Sequence, residues 1–152
     1  MADLDVTFKW QGVDTVLARM KQLDVKMQKS MARRAARAGM ALVRDSARAK
    51  AVKLDKPGTR SAIWKNIVTQ ESRRGKRLGG ILMRVGVRGG SITRKGVKRA
   101  EDGATPHWRH IELGTQFVQA RSFMRSALIQ NMGAVADTVA EELRNDLDEV
   151  GV

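Results

Sequence analysis

Cysteine is missing from this chain, so no disulfide staples the fold and no thiolate can hold a metal. Tyrosine is missing too, and three Trp with three Phe form the whole aromatic complement, a thin supply for stacking on nucleobases. No apolar run approaches the roughly 20 residues that a bilayer-spanning helix needs, and no membrane association is expected. Residues 1 to 10 alternate acidic and apolar side chains without a basic start and a greasy run, so no secretory leader is expected. The only prolines, Pro57 and Pro106, punctuate the chain at two places.

Positive charge, by contrast, is abundant. Lys and Arg number 29 against 16 Asp and Glu, a formal net charge of +13. This excess predicts attraction to a polyanion, either nucleic acid or an acidic protein surface, without choosing between them. With 152 residues, 42% of them hydrophobic, the chain is expected to form one domain spanning residues 1–152 with a single core. Its charge is polarised. Between Lys29 and Lys53 the only acid is Asp45, and further basic clusters fall at Arg73, Arg74, Lys76 and Arg77 and at Arg94, Lys95, Lys98 and Arg99. Near the end, Asp137, Glu141, Glu142, Asp146, Asp148 and Glu149 face only Arg144.

Hydrophobic periodicity sets the expected elements. Val6, Phe8 and Trp10 alternate as in a half-buried strand. From Val13 the spacing becomes helical through Val16, Met20, Leu23, Met27, Met31, Ala35, Ala38, Leu42, Ser46 and Ala49, with a break expected near Leu23 to Val25 and a weak point at Gly39. Residues 62–70 and 80–88 read as two strands joined by a polar hairpin loop at residues 72–77. Residues 89–105, rich in glycine and basic side chains, read as a long mobile loop. Trp108, Ile111 and Leu113 read as a short strand ended by Gly114-Thr115. A last helix runs from Ser122, its expected cap, to about Val150 on a face of Met124, Leu128, Met132, Val135, Val139, Leu143, Leu147 and Val150. The predicted class is α+β: a small, mainly antiparallel sheet of about four strands packed on one long N-terminal and one long C-terminal helix.

Catalytic materials are sparse. His107 and His110 are the only histidines, and residues three apart on a strand would point to opposite faces with no third ligand evident. No serine sits in a nucleophile-elbow context and no glycine-rich run carries a phosphate-loop lysine. No enzymatic activity, cofactor or metal is expected. Non-specific DNA binding is the stronger rival. Arg33, Arg37, Arg44 and Arg48 share a helical stripe that could follow a phosphate backbone, or else form a solvated face or pair with acids of a neighbouring subunit.

Residues 108–115, Trp-Arg-His-Ile-Glu-Leu-Gly-Thr, and residues 120–128, Ala-Arg-Ser-Phe-Met-Arg-Ser-Ala-Leu, carry the most specific pattern. It resembles that of the phage head-tail joining, or tail-completion, family of long-tailed phages, related to tail-terminator and minor-tail-Z-like proteins, with Ser122 and Ser126 where that family commonly has proline. The resemblance implies a tail-terminator-like fold and a structural protein of the virion neck, made in the host cytoplasm and built into the particle. It implies a ring, of six copies by analogy or else of twelve, that completes the tail, meets a head connector or stopper protein and a tail tube protein, and surrounds the DNA channel. The assembly motif would comprise Trp108, Glu112, Gly114, Thr115, Arg121 and Phe123. Arg121 is expected to return across the Gly114 turn to pair with Glu112, and Phe123 to plug the sheet. The two basic clusters at 73–77 and 94–99 are the expected contacts for partner rings or DNA.

Overall fold

The computed structural model describes residues 13–55, 62–88 and 105–151. The strand expected at Val6 to Trp10, the Pro57-Gly58 stop and the basic cluster Arg94, Lys95, Lys98 and Arg99 lie outside them.

Two long helices dominate. Helix α1 (Val13–Met20) is followed by α2 (Val25–Val52), and the break falls where the sequence places it because the Asp24 carboxylate accepts the free backbone N–H of Lys26 at 3.3 Å. Helix α2 passes Gly39 without interruption. Its buried residues are Met31, Ala35, Gly39, Val43, Ala47 and Ala51, one every four positions. Such a stripe drifts by about 40° per step around a 3.6-residue helix, so its two ends meet different partners. Met31 packs with Val16 and Leu147, while Val43, Ala47 and Ala51 pack with Ile63, Ile67, Phe123 and Ala127. The expected stripe through Ala38, Leu42 and Ser46 is offset by one residue, and at Ala49 by two; Leu42 and Ala49 are exposed. With alanine at so many positions, hydrophobicity alone does not fix which face turns inward. Close approach does.

That approach is to α6 (Phe123–Val150), which runs antiparallel to α2 and shares with it the most extensive contact of any two elements. A Cβ on Gly39 would stand 2.8 Å from Val139 Cγ2 and 3.1 Å from the Val135 carbonyl oxygen. Gly39→Val is therefore expected to cost about 1–3 kcal/mol by forcing the helices apart. Gly133→Ala, at a helical position with open space, should instead gain up to about 1 kcal/mol. Urea midpoints of the two variants check the opposite signs.

Between the long helices the chain forms α3 (Ile63–Asn66), β1 (Ile67–Glu71), α4 (Arg73–Arg77), β2 (Met83–Val87) and α5 (Trp108–Leu113). The α+β class holds, but the sheet has two strands among the described residues, not about four. Strands β1 and β2 are antiparallel, with Ile67 opposite Val87 and Glu71 opposite Met83. Three local expectations are corrected. Residues 63–66 form a helical turn that carries both Ile63 and Ile67 into the core. The loop expected at 72–77 is a short helix, since Ser72 Oγ accepts the Arg74 N–H at 3.3 Å. The strand expected at Trp108 to Leu113 is also helical. Trp108 and Ile111, three apart, pack against the core, whereas Leu113 points to solvent. Thr105, the one described residue of the expected mobile loop, is fully buried and accepts a hydrogen bond from buried Asn66 at 3.3 Å.

Candidate functional site

The segment 108–128 forms an elbow: α5, a tight loop, then the first turns of α6. Gly114 ends α5 at φ 74°, and a Cβ there would lie 2.8 Å from the Ala120 nitrogen and 3.0 Å from the Val118 oxygen, so the turn excludes any side chain. Thr115 closes the loop. Its Oγ1 accepts the N–H groups of Phe117 and Val118 at 3.2 and 3.1 Å, while its own N–H donates to the Val118 carbonyl at 2.8 Å. The returning segment is tied back by the Arg121 N–H, which donates to the Ile111 carbonyl at 2.7 Å.

Glu112 does something other than pair with Arg121. Its buried carboxylate accepts the N–H groups of Met124 at 2.8 Å and Arg125 at 3.0 Å, one on each oxygen. A negative charge thereby caps the first turn of α6, where unpaired donors and the helix dipole both favour an anion. The Arg121 side chain is exposed and makes no ion pair with a described residue. Ser122 occupies the cap position, but its side chain accepts no bond from the helix; the hydroxyl donates to the Glu112 carbonyl at 3.0 Å. The capping that sequence assigns to Ser122 is thus carried out by a residue ten positions earlier. No local capping pattern has that spacing, so only proximity in the fold reveals it.

Phe123 is buried among Ile63, Ile67 and Ala127, anchoring the elbow to the core as expected. The face assigned to α6 needs a correction here: Phe123 and Ala127 turn inward, and Leu128 is exposed. Trp108 is partly buried against the same cluster, with the Arg109 guanidinium 5.7 Å from its ring centre. His107 and His110 flank it, and among the described residues no three His, Asp or Glu side chains gather as metal ligands. On the outside of the elbow, the loop presents apolar side chains to solvent: Phe117 is 86% exposed and Leu113 69%, with Val118 beside them.

The arginine stripe of α2 is largely engaged within the molecule. Arg33 donates to Glu71 on β1 at 3.1 Å, and Arg48 donates twice to the Ile67 carbonyl at 3.0 and 2.8 Å. Arg34 grips both oxygens of Asp146 on α6, and Arg19 reaches Asp148 at 2.6 Å. Donating to Asp146 raises the Arg34 pKa, fixing its charge still more firmly. Arg44 binds Asp45 through two bonds of 2.8 and 2.9 Å, and this holds the Asp45 carboxyl below its ordinary value. Arg37 alone of the four stripe residues is exposed without a salt bridge to a described residue. Acids expected to face a neighbouring subunit therefore include two, Asp146 and Asp148, that are held by the chain's own arginines. Arg73, Arg74, Lys76 and Arg77 stand exposed on α4.

No family model, curated protein or solved structure matches this chain. None of the helices among the described residues is long and apolar enough to cross a membrane.

Proposed function

We propose that this chain is a structural protein of a phage neck, which completes the tail and joins it to the head connector as a closed ring around the DNA channel. One observation carries the reading beyond the sequence pattern. The 108–128 elbow spends its polar groups on holding its own shape, through Glu112, Thr115 and Ser122, while Leu113, Phe117 and Val118 stand out in solvent. A loop fixed so firmly, yet tipped with a nearly bare aromatic, suits an anchor that enters a pocket on another subunit, because little ordering entropy remains to be lost on docking. Heterologous contacts of this kind close into rings when the rotation between copies allows it.

Native mass spectrometry of the chain without nucleic acid tests the reading. A single closed stoichiometry is expected, reduced by Phe117→Asp to a monomer with unchanged helical content by circular dichroism, since Phe117 is exposed and outside the core. The wild-type chain remaining monomeric at micromolar concentration, or assembly unaffected by Phe117→Asp, would overturn it.

A further inference from the structure

The hairpin carries a second surface, and its cluster at residues 73–77 is one that the sequence offers as a contact for partner rings or for DNA. Between Ser72 and Arg88 lie six basic residues, Arg73, Arg74, Lys76, Arg77, Arg84 and Arg88, and no acidic one. All six are exposed. The nearest acid in sequence, Glu71, points inward to Arg33, and of the six only Lys76 comes near it, at 3.7 Å. The other five make no salt bridge with any described residue. Here the structure separates the two kinds of basic residue: the α2 arginines are mostly bound internally, and five of the six hairpin cations have no acidic partner among the described residues.

Their placement is regular. Val85 and Val87 pack against the helical core, so Arg84 and Gly86 occupy the outer face of β2, opposite Gln70 and Val68. The Arg88 N–H donates to the Asn66 carbonyl at 2.8 Å and continues the ladder. Alternate residues on a strand are about 6.6–6.8 Å apart, which makes Arg84, Gly86 and Arg88 a straight cationic track with a gap in the middle. A Cβ at Gly86 would meet nothing within 4 Å, so a ligand can come down to the backbone between the two guanidinium groups. Helix α4 sets four more cations at the end of this track.

We infer that the outer face of the β1–β2 hairpin with α4 binds the phosphate backbone of duplex DNA without regard to sequence. A second copy of this chain is a poor occupant, because every acid in it could be paired and thirteen positive charges would still be left. Protein interfaces in general place apolar side chains at their centre and exclude charge from it, and this face does the reverse. Arginine forks, in contrast, match phosphate oxygens two at a time. The inference is compatible with the neck reading and does not rest on it.

Fluorescence polarisation of a labelled random-sequence duplex, titrated with the full chain between about 50 and 200 mM salt, provides the test. Two triple variants remove the same charge from different places: Arg73→Gln, Arg74→Gln, Arg77→Gln on α4, and Lys26→Gln, Lys29→Gln, Arg37→Gln on α2. The α4 variant should lose affinity at least about 30-fold and about three units of log–log salt slope, at roughly 0.9 per phosphate contact. The α2 variant should change by less than about threefold. Arg84→Gln with Arg88→Gln, far from α4's own folding, should cost about tenfold. Equal losses from the two triple variants, no binding by the wild-type chain, or competition by polyglutamate as strong as by unlabelled DNA would each overturn the inference. Assembly measured without nucleic acid decides the neck reading separately: rings with hairpin-independent DNA affinity sink this inference alone, and monomers with hairpin-dependent affinity sink only the other.

Discussion

Phe123→Ala is expected to destabilise the chain by about 3–5 kcal/mol, which lowers the melting temperature by on the order of 10 °C for a domain of this size. Phe123 is 3% exposed and meets Ile63 and Ile67 where α6 begins, so truncation leaves a cavity between the helix and β1. A loss of that size is a large share of the 5–15 kcal/mol that usually holds a domain folded. Phe123→Leu should recover much of it, because the volume is largely kept. Chemical denaturation of the three proteins measures the series, and a loss under about 1 kcal/mol for Phe123→Ala would mean that the elbow is not anchored there. The contrast with Phe117 is physical: two phenylalanines six residues apart, one serving the core and the other bare.

The second large effect is at Glu112. Glu112→Ala removes the acceptors of two backbone N–H groups at the start of α6 and leaves them in a partly buried place, a cost of about 2–4 kcal/mol from cap loss and unsatisfied donors together. Glu112→Gln keeps one carbonyl oxygen as acceptor and should lose about half as much. Arg121→Ala, at an exposed position with no ion pair to a described residue, should stay within about 0.5 kcal/mol. The double variant Glu112→Ala, Arg121→Ala is then expected to be additive. A coupling energy above about 1 kcal/mol between the two would restore the pairing that the sequence suggests and contradict the capping role.

The long elements were legible because they repeat. Over the 28 residues of α2 or of α6 a helical period recurs many times, and Asp24 and Gly114 each have a local reason to be where they are: one accepts a free N–H, the other adopts a positive φ. Short segments offer no such redundancy. Trp108, Ile111 and Leu113 fit a strand or a helix about equally as letters, and burial of the first two with exposure of the third decides for the helix. The same limit explains α4, whose Ser72 cap is a one-bond signal inside a polar stretch that also suits a turn.

What the amino-acid order determined by itself was the pair of long helices, the break between α1 and α2, the glycine turn of the elbow and the imbalance of charge. Only the tertiary structure decided which stripe of α2 turns inward, that Glu112 caps α6, and that Arg33, Arg34 and Arg48 are held within the molecule while the hairpin arginines pair with no described acid. The reason is range. Periodicity, capping and turn geometry are written within a few residues, whereas the partner of a charge or of a bare helix face is whatever the fold brings within about 3 Å of it.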